Sequence, residues 1–132
     1  MSTTTKKNWT AEGVADAYTS IWSESDAHRR RRAITELWAD AGAEYVEGTQ
    51  FNGYDALHAR VSHAHSEFVA SGRYLVARAA GIDVHDDVVM LTIQLVSPDD
   101  GTVAWAARVF LILDEDGHIR EDYQLTIQPL AT

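Results

Sequence analysis

The chain predicts an α+β domain in which three helices pack on one face of a strongly curved, mostly antiparallel sheet. Three observations predict it. Apolar residues recur at helical spacing in three stretches before Gly72, the period becomes two after it, and Asp- and Gly-rich turns separate the later stretches. Helices first and strands afterwards segregate the two kinds of element, which is the α+β pattern. At 132 residues the chain is long enough to bury a core as a single domain. Its make-up, 45% hydrophobic and 23% charged, is ordinary for a globular protein.

Residues 1–8 are polar and read as a flexible tail. Thr10 caps a first helix, with Glu12 in its first turn and Val14, Ala17, Tyr18, Ile21 and Trp22 as its apolar stripe. Asp26 caps a second helix that runs to about Trp38 and carries Arg29 to Arg32. Four consecutive residues spread all round a helix, so this basic run reads as a solvated face rather than a docking patch. A short strand follows over 43–48, with Ala43, Tyr45 and Glu47 on one face and Val46 on the other. Gly48 and Gly53 bracket a turn. A third helix spans 54–71, with Leu57, Val61, Ala64 and Phe68 in its stripe and Gly72 as its stop. Four long strands complete the chain, over 73–84 with a bend at Gly81, 88–96, 102–113 and 119–128.

Several function classes are excluded or disfavoured by composition. Without cysteine there is no disulfide, thiolate nucleophile or iron–sulfur site. A net charge of −9 argues against nucleic acid and anionic membrane surfaces as partners. No apolar run reaches the roughly 20 residues of a membrane helix, and no signal peptide is visible, so a cytoplasmic location is expected. His58, His63 and His65 share the third helix but lack the i,i+4 spacing of a helical metal site, so no metal is expected.

The segment LWADAGAEYVEG, the helix start FNGYDAL and the late segment ILDEDGHIREDYQ together resemble the nuclear transport factor 2-like superfamily. Within it, the chain is similar to the SnoaL-like, polyketide cyclase-like and ketosteroid isomerase-like proteins, over about residues 10–128. The resemblance implies a cone with an apolar pocket, a homodimer built on the outer sheet face, and no cofactor. It implies an enzyme doing acid–base chemistry, isomerisation or cyclisation, on a lipophilic carbonyl or polyketide-like compound. A non-catalytic domain binding a hydrophobic ligand is the alternative, because this scaffold hosts both.

The resemblance places Tyr18 as a donor to a carbonyl oxygen and Glu47 as the carboxylate that moves a proton. A carboxylate in an apolar pocket has its charged form disfavoured, which makes it a useful base. A phenol aimed at a carbonyl stabilises charge developing on oxygen. Ala107 and Val109 stand where the steroid isomerases and epoxide hydrolases carry polar groups, so neither activity is expected. On the last strand Asp122, Gln124 and Thr126 share a face, which the resemblance turns to the pocket, and Asp122 is the second candidate acid–base residue. Trp22, Trp38, Tyr45, Phe68, Trp105 and Gln124 are the candidate substrate-binding residues. Two structural alternatives stay open from the residues alone: Glu47 in solvent, and Asp122 paired with Arg78, Arg108 or Arg120.

Overall fold

The computed structural model describes residues 9–131; the tail expected over 1–8 lies outside them. Helix α1 (Ala11–Ser23) opens at Thr10, whose hydroxyl accepts from the Gly13 amide, and α2 (Ala27–Leu37) opens at Asp26, which accepts from Arg29. Each cap satisfies an amide that the first turn leaves unpaired. Strands β1 (Trp38–Val46) and β2 (Thr49–Asn52) form a hairpin, and α3 (Gly53–Ala64) follows it directly. A π-helical turn, His65–Val69, extends α3, with the Ala70 amide bonded to the His65 carbonyl five residues back. Strands β3 (Leu75–Arg78), β4 (Asp83–His85), β5 (Val88–Val96), β6 (Val103–Leu113) and β7 (Ile119–Gln128) complete the sheet.

The sheet runs β2-β1-β7-β6-β5-β3, with β4 also on β5, and it curls without closing. All pairings are antiparallel except β1 with β7, which is parallel and joins early sequence to late. The inner faces of β5 and β6 alternate strictly, burying Val89, Leu91 and Ile93 beside Val109, Leu111 and Leu113. Tyr18, Ile21 and Trp22 of α1, Ile34 of α2 and Leu57 and Val61 of α3 close over them.

Four expectations change. The strand expected over 43–48 begins at Trp38, with an irregularity in its pairing to β7 before Ala43. The Gly48–Gly53 turn contains a strand, β2. The single strand expected over 73–84 is two, because Gly81 at φ 92° breaks it and Ala79 returns to β5 by one bond to the Thr92 carbonyl. The arginine run is not uniformly solvated. Arg30 is 5% exposed, and donates to the Glu24 carbonyl, Ser62 and His65.

Among the described residues no helix is long and apolar enough to cross a membrane.

Candidate functional site

The β1–β7 pairing decides which acids meet. Glu44 lies opposite Asp122, and Val46 opposite Gln124, so both strands turn these residues to the helix-covered side. Tyr18 comes down from α1 and Arg60 from α3. The Tyr18 hydroxyl donates to Asp122 Oδ2 at 2.8 Å, lies 3.4 Å from Glu44 Oε2, and accepts from Gln124 Nε2 at 3.1 Å. Arg60 donates through Nε to Glu44 Oε1 at 2.9 Å and through a terminal nitrogen to Gln124 Oε1 at 3.1 Å. Its guanidinium also lies over the Trp22 and Phe51 rings, at 5.1 and 5.6 Å.

Two carboxyls and one guanidinium are therefore enclosed together, and one negative charge is in excess. Burial first, and then the Glu44 charge, push the Asp122 carboxyl well above the ordinary carboxylate range, against the opposing pull of Tyr18 and Arg60. Asp122 thus holds a proton where an exposed aspartate would not. Its second oxygen, Oδ1, is buried without a hydrogen-bond partner. Burial, and then the charges of Asp122 and Glu44, push the Tyr18 phenol up as well, so it serves as a hydrogen-bond donor and not as a phenolate.

Adjoining the network is a cavity of about 200 Å³, walled by apolar residues that include Trp22, Phe68, Val76, Ile93, Leu95 and Trp105. Arg60, His65, Gln94, Gln124 and Thr126 are its polar lining. Asp122, Glu44 and Tyr18 are not in the lining. They lie one layer behind, under Gln124 and Arg60.

Of the residues singled out from sequence, the structure brings together Tyr18, Asp122 and Gln124, and it places Trp22, Phe68 and Trp105 on the cavity wall. It does not bring in Glu47. That residue and Gly48 form the two-residue turn between β1 and β2, both with positive φ, so Glu47 leaves the strand and stands exposed, accepting from the Thr126 amide. Tyr45 points to the other face, stacked on Tyr123 at 4.8 Å, and does not line the cavity. Trp38 is fully buried in the core under Tyr18 and lines no part of the cavity. Asp122 pairs with none of Arg78, Arg108 or Arg120. Arg78 binds Glu12 and Asp16, Arg108 binds Asp83, and Arg120 is exposed.

Glu44 and Arg60 are the site residues that sequence reasoning missed. A signal for Arg60 was present, since Leu57, Arg60, Val61 and Ala64 recur at i, i+3, i+4 and i+7 and share one helix face. Glu44 shares a strand face with Val46, and local sequence leaves open which face of a strand turns inward.

Among the described residues one group, Asp114, Asp116 and His118, sets three metal-type ligand atoms within 4.8 Å of one another. Asp114 there accepts from the Asp116 and His118 amides, which accounts for the arrangement as a closed β6–β7 turn.

No protein-family model matches the sequence, and no curated protein matches it. Solved structures do. A proposed isomerase of the SnoaL-like family from Agrobacterium tumefaciens superposes with a TM-score of 0.76 at 24% identity, over 86% of this chain and 93% of that one. A proposed polyketide cyclase from Sinorhizobium meliloti gives 0.64 at 14% identity, over 88% and 99%. A de novo designed protein of the NTF2 fold gives 0.67 at 16% identity, over 88% and 85%. A designed neighbour underlines that the likeness concerns backbone architecture and carries no activity with it. From its element order, its curled open sheet and these superpositions, the chain has the nuclear transport factor 2-like fold.

Proposed function

We propose that the chain is a small-molecule enzyme doing cofactor-free acid–base chemistry, isomerisation or cyclisation, on a lipophilic carbonyl or polyketide-like compound. One observation carries this reading: two fully buried carboxyls, Asp122 and Glu44, meet at the Tyr18 hydroxyl directly behind an apolar cavity. A buried pair of acids is a poor way to stabilise a fold, since apolar residues of similar volume are commonly neutral or better. It is a good way to keep a carboxyl protonated near neutral pH for transfer. Asp122 is the proton carrier and Glu44 the charge that raises its affinity for the proton. Tyr18 holds Asp122 in orientation. Arg60 and Gln124 offer N–H donors to a ligand oxygen, and a ligand that draws them into the cavity opens the way to Asp122. The outer sheet face, with the Tyr45–Tyr123 stack and exposed Leu125 and Ile127, is the proposed homodimer surface.

The position of the acids behind Gln124 and Arg60 favours a second reading, a non-catalytic pocket for an apolar molecule with one oxygen. Exchange separates the two. Decalone, a fused-ring ketone, is incubated with the protein in deuterated water, and deuterium entering beside its carbonyl is followed by mass spectrometry. The enzyme reading expects exchange above the protein-free rate. It expects Asp122→Asn to lower that excess by roughly 10²–10⁴-fold and Glu44→Gln to lower it also, with far-ultraviolet dichroism unchanged. Binding without exchange over a panel of such ketones leaves the second reading in its place.

A further inference from the structure

Away from the carboxyl pair, the cavity has a second polar feature whose chemistry is fixed by its neighbours. His65 stands at the start of the π-helical turn, is 6% exposed, and lines the cavity. Behind it lies Arg30, the buried member of the arginine run. Arg30 Nε and one terminal nitrogen both donate to the Glu24 carbonyl, at 3.0 and 2.7 Å, and the other terminal nitrogen donates to Ser62 Oγ at 3.0 Å. These bonds lock the guanidinium with a terminal N–H 3.3 Å from His65 Nδ1.

A guanidinium has donors and no acceptor, so Nδ1 must be the acceptor and cannot carry the ring's hydrogen. In the neutral imidazole that hydrogen is on Nε2. A second proton on the ring would face Arg30 head-on. Burial, and then the Arg30 charge, lower the His65 pKa accordingly. Nε2 is not among the fully enclosed atoms, and among the described residues nothing accepts from it. An N–H whose direction is set by a buried arginine, left without a partner beside an apolar cavity, lacks only an acceptor.

We propose that His65 is a second ligand-binding group, whose Nε2–H takes an oxygen acceptor on the same molecule that meets Arg60 and Gln124. The ligand class is thereby narrowed to a compact apolar body with two oxygens, such as a fused-ring diketone or hydroxyketone. Arg60 and His65 both line the cavity, so a single ligand can meet both. A ligand with an N–H in place of the second oxygen meets a donor and is rejected. The inference rests on the cavity being the ligand site, and not on Asp122 turning the ligand over.

The test uses the whole chain, with decalone and decalindione as probes. Nitrogen NMR of the His65 ring is expected to show a protonated Nε2 and an accepting Nδ1 between about pH 6 and 8. Decalindione is expected to bind roughly 5- to 10-fold more tightly than decalone. His65→Phe, which keeps a ring and loses the donor, is expected to erase that preference, so that decalone and decalindione bind equally. His65→Gln, whose amide nitrogen stands near the Nε2 position, is expected to restore part of it. If His65→Phe does not fold, the wild-type signal decides, since Nε2 should respond to decalindione and not to decalone. A hydrogen on Nδ1, equal affinity for the two probes, or a preference that survives in His65→Phe each overturns the proposal. Failure of both probes to bind overturns the pocket itself and this inference with it. A preference for the diketone without deuterium exchange refutes the enzyme reading alone and leaves His65 as proposed.

Discussion

Asp122 is the residue at which the proposed function and stability pull apart. Its ordinary pKa is 3.8, and burial and Glu44 raise it well above that in the folded chain. The native state then holds a proton that the unfolded chain has released, so stability falls as pH rises through the raised value and is unaffected below about pH 3.8. Asn at this position keeps the shape and has nothing to ionise. Urea unfolding should therefore find Asp122→Asn more stable than wild type at pH 8, by at least about 1 kcal/mol, with the difference closing toward pH 4. A pH-independent difference would mean that Asp122 is ionised in the native state. At this same scale the sequence was half legible. Helical and strand periods gave the faces of Tyr18, Asp122 and Gln124, and the resemblance turned those faces toward the pocket. Glu44 could not be placed, because the local pattern leaves open which face of its strand turns inward. Only the pairing of Tyr45 with Tyr123 on the outer face fixes it.

Among the elements, β1 has the most demanding geometry. It leaves α2 without a loop, bends between Trp38 and Ala43, and enters register with β7 only after the bend. Gly42 permits this. A Cβ there would stand 2.8 Å from the Ile119 carbonyl oxygen and 2.8 Å from the Trp38 ring, and backbone cannot yield as a flexible side chain can. Gly42→Ala is expected to cost about 1–3 kcal/mol, read as a lower urea midpoint at unchanged slope, and to disturb Glu44 two residues on. Neutral behaviour would show that the bend is soft. The helix starts, in contrast, were legible to within a residue, because a cap and its stripe are local signals; the third helix, expected to run to 71, ends as an α-helix at Ala64. The interruption of 73–84 was half visible in Gly81, and the π-helical turn was not visible at all. An extra residue in a helix changes which side chain meets the cavity without altering composition.

For the whole molecule, the order of helices and strands was enough to fix the architecture, and no local error in register altered it. The outer sheet face is where the assembly prediction belongs. Leu125 and Ile127 are 53% and 60% exposed there, next to the Tyr45–Tyr123 stack. Sedimentation should find a dimer that Leu125→Lys with Ile127→Lys converts to monomer while the helix signal stays unchanged; a wild-type monomer would remove the proposed interface. The parallel union of β1 with β7 also has a meaning in time. Tyr18 and the aspartate it orients are 104 residues apart, and at roughly 5–20 residues per second a ribosome needs on the order of 5–20 s to bridge them. From the synthesis of Arg60 until β7 is made, the emerging chain carries Glu44 and Arg60 with no β7 to lie against, and the helices have only a partial sheet to cover. Non-local closure of this kind is slow to form. The acid pair is consequently a late product of synthesis: a ribosome halted before Ile119 leaves Glu44 and Tyr18 with no Asp122 to meet.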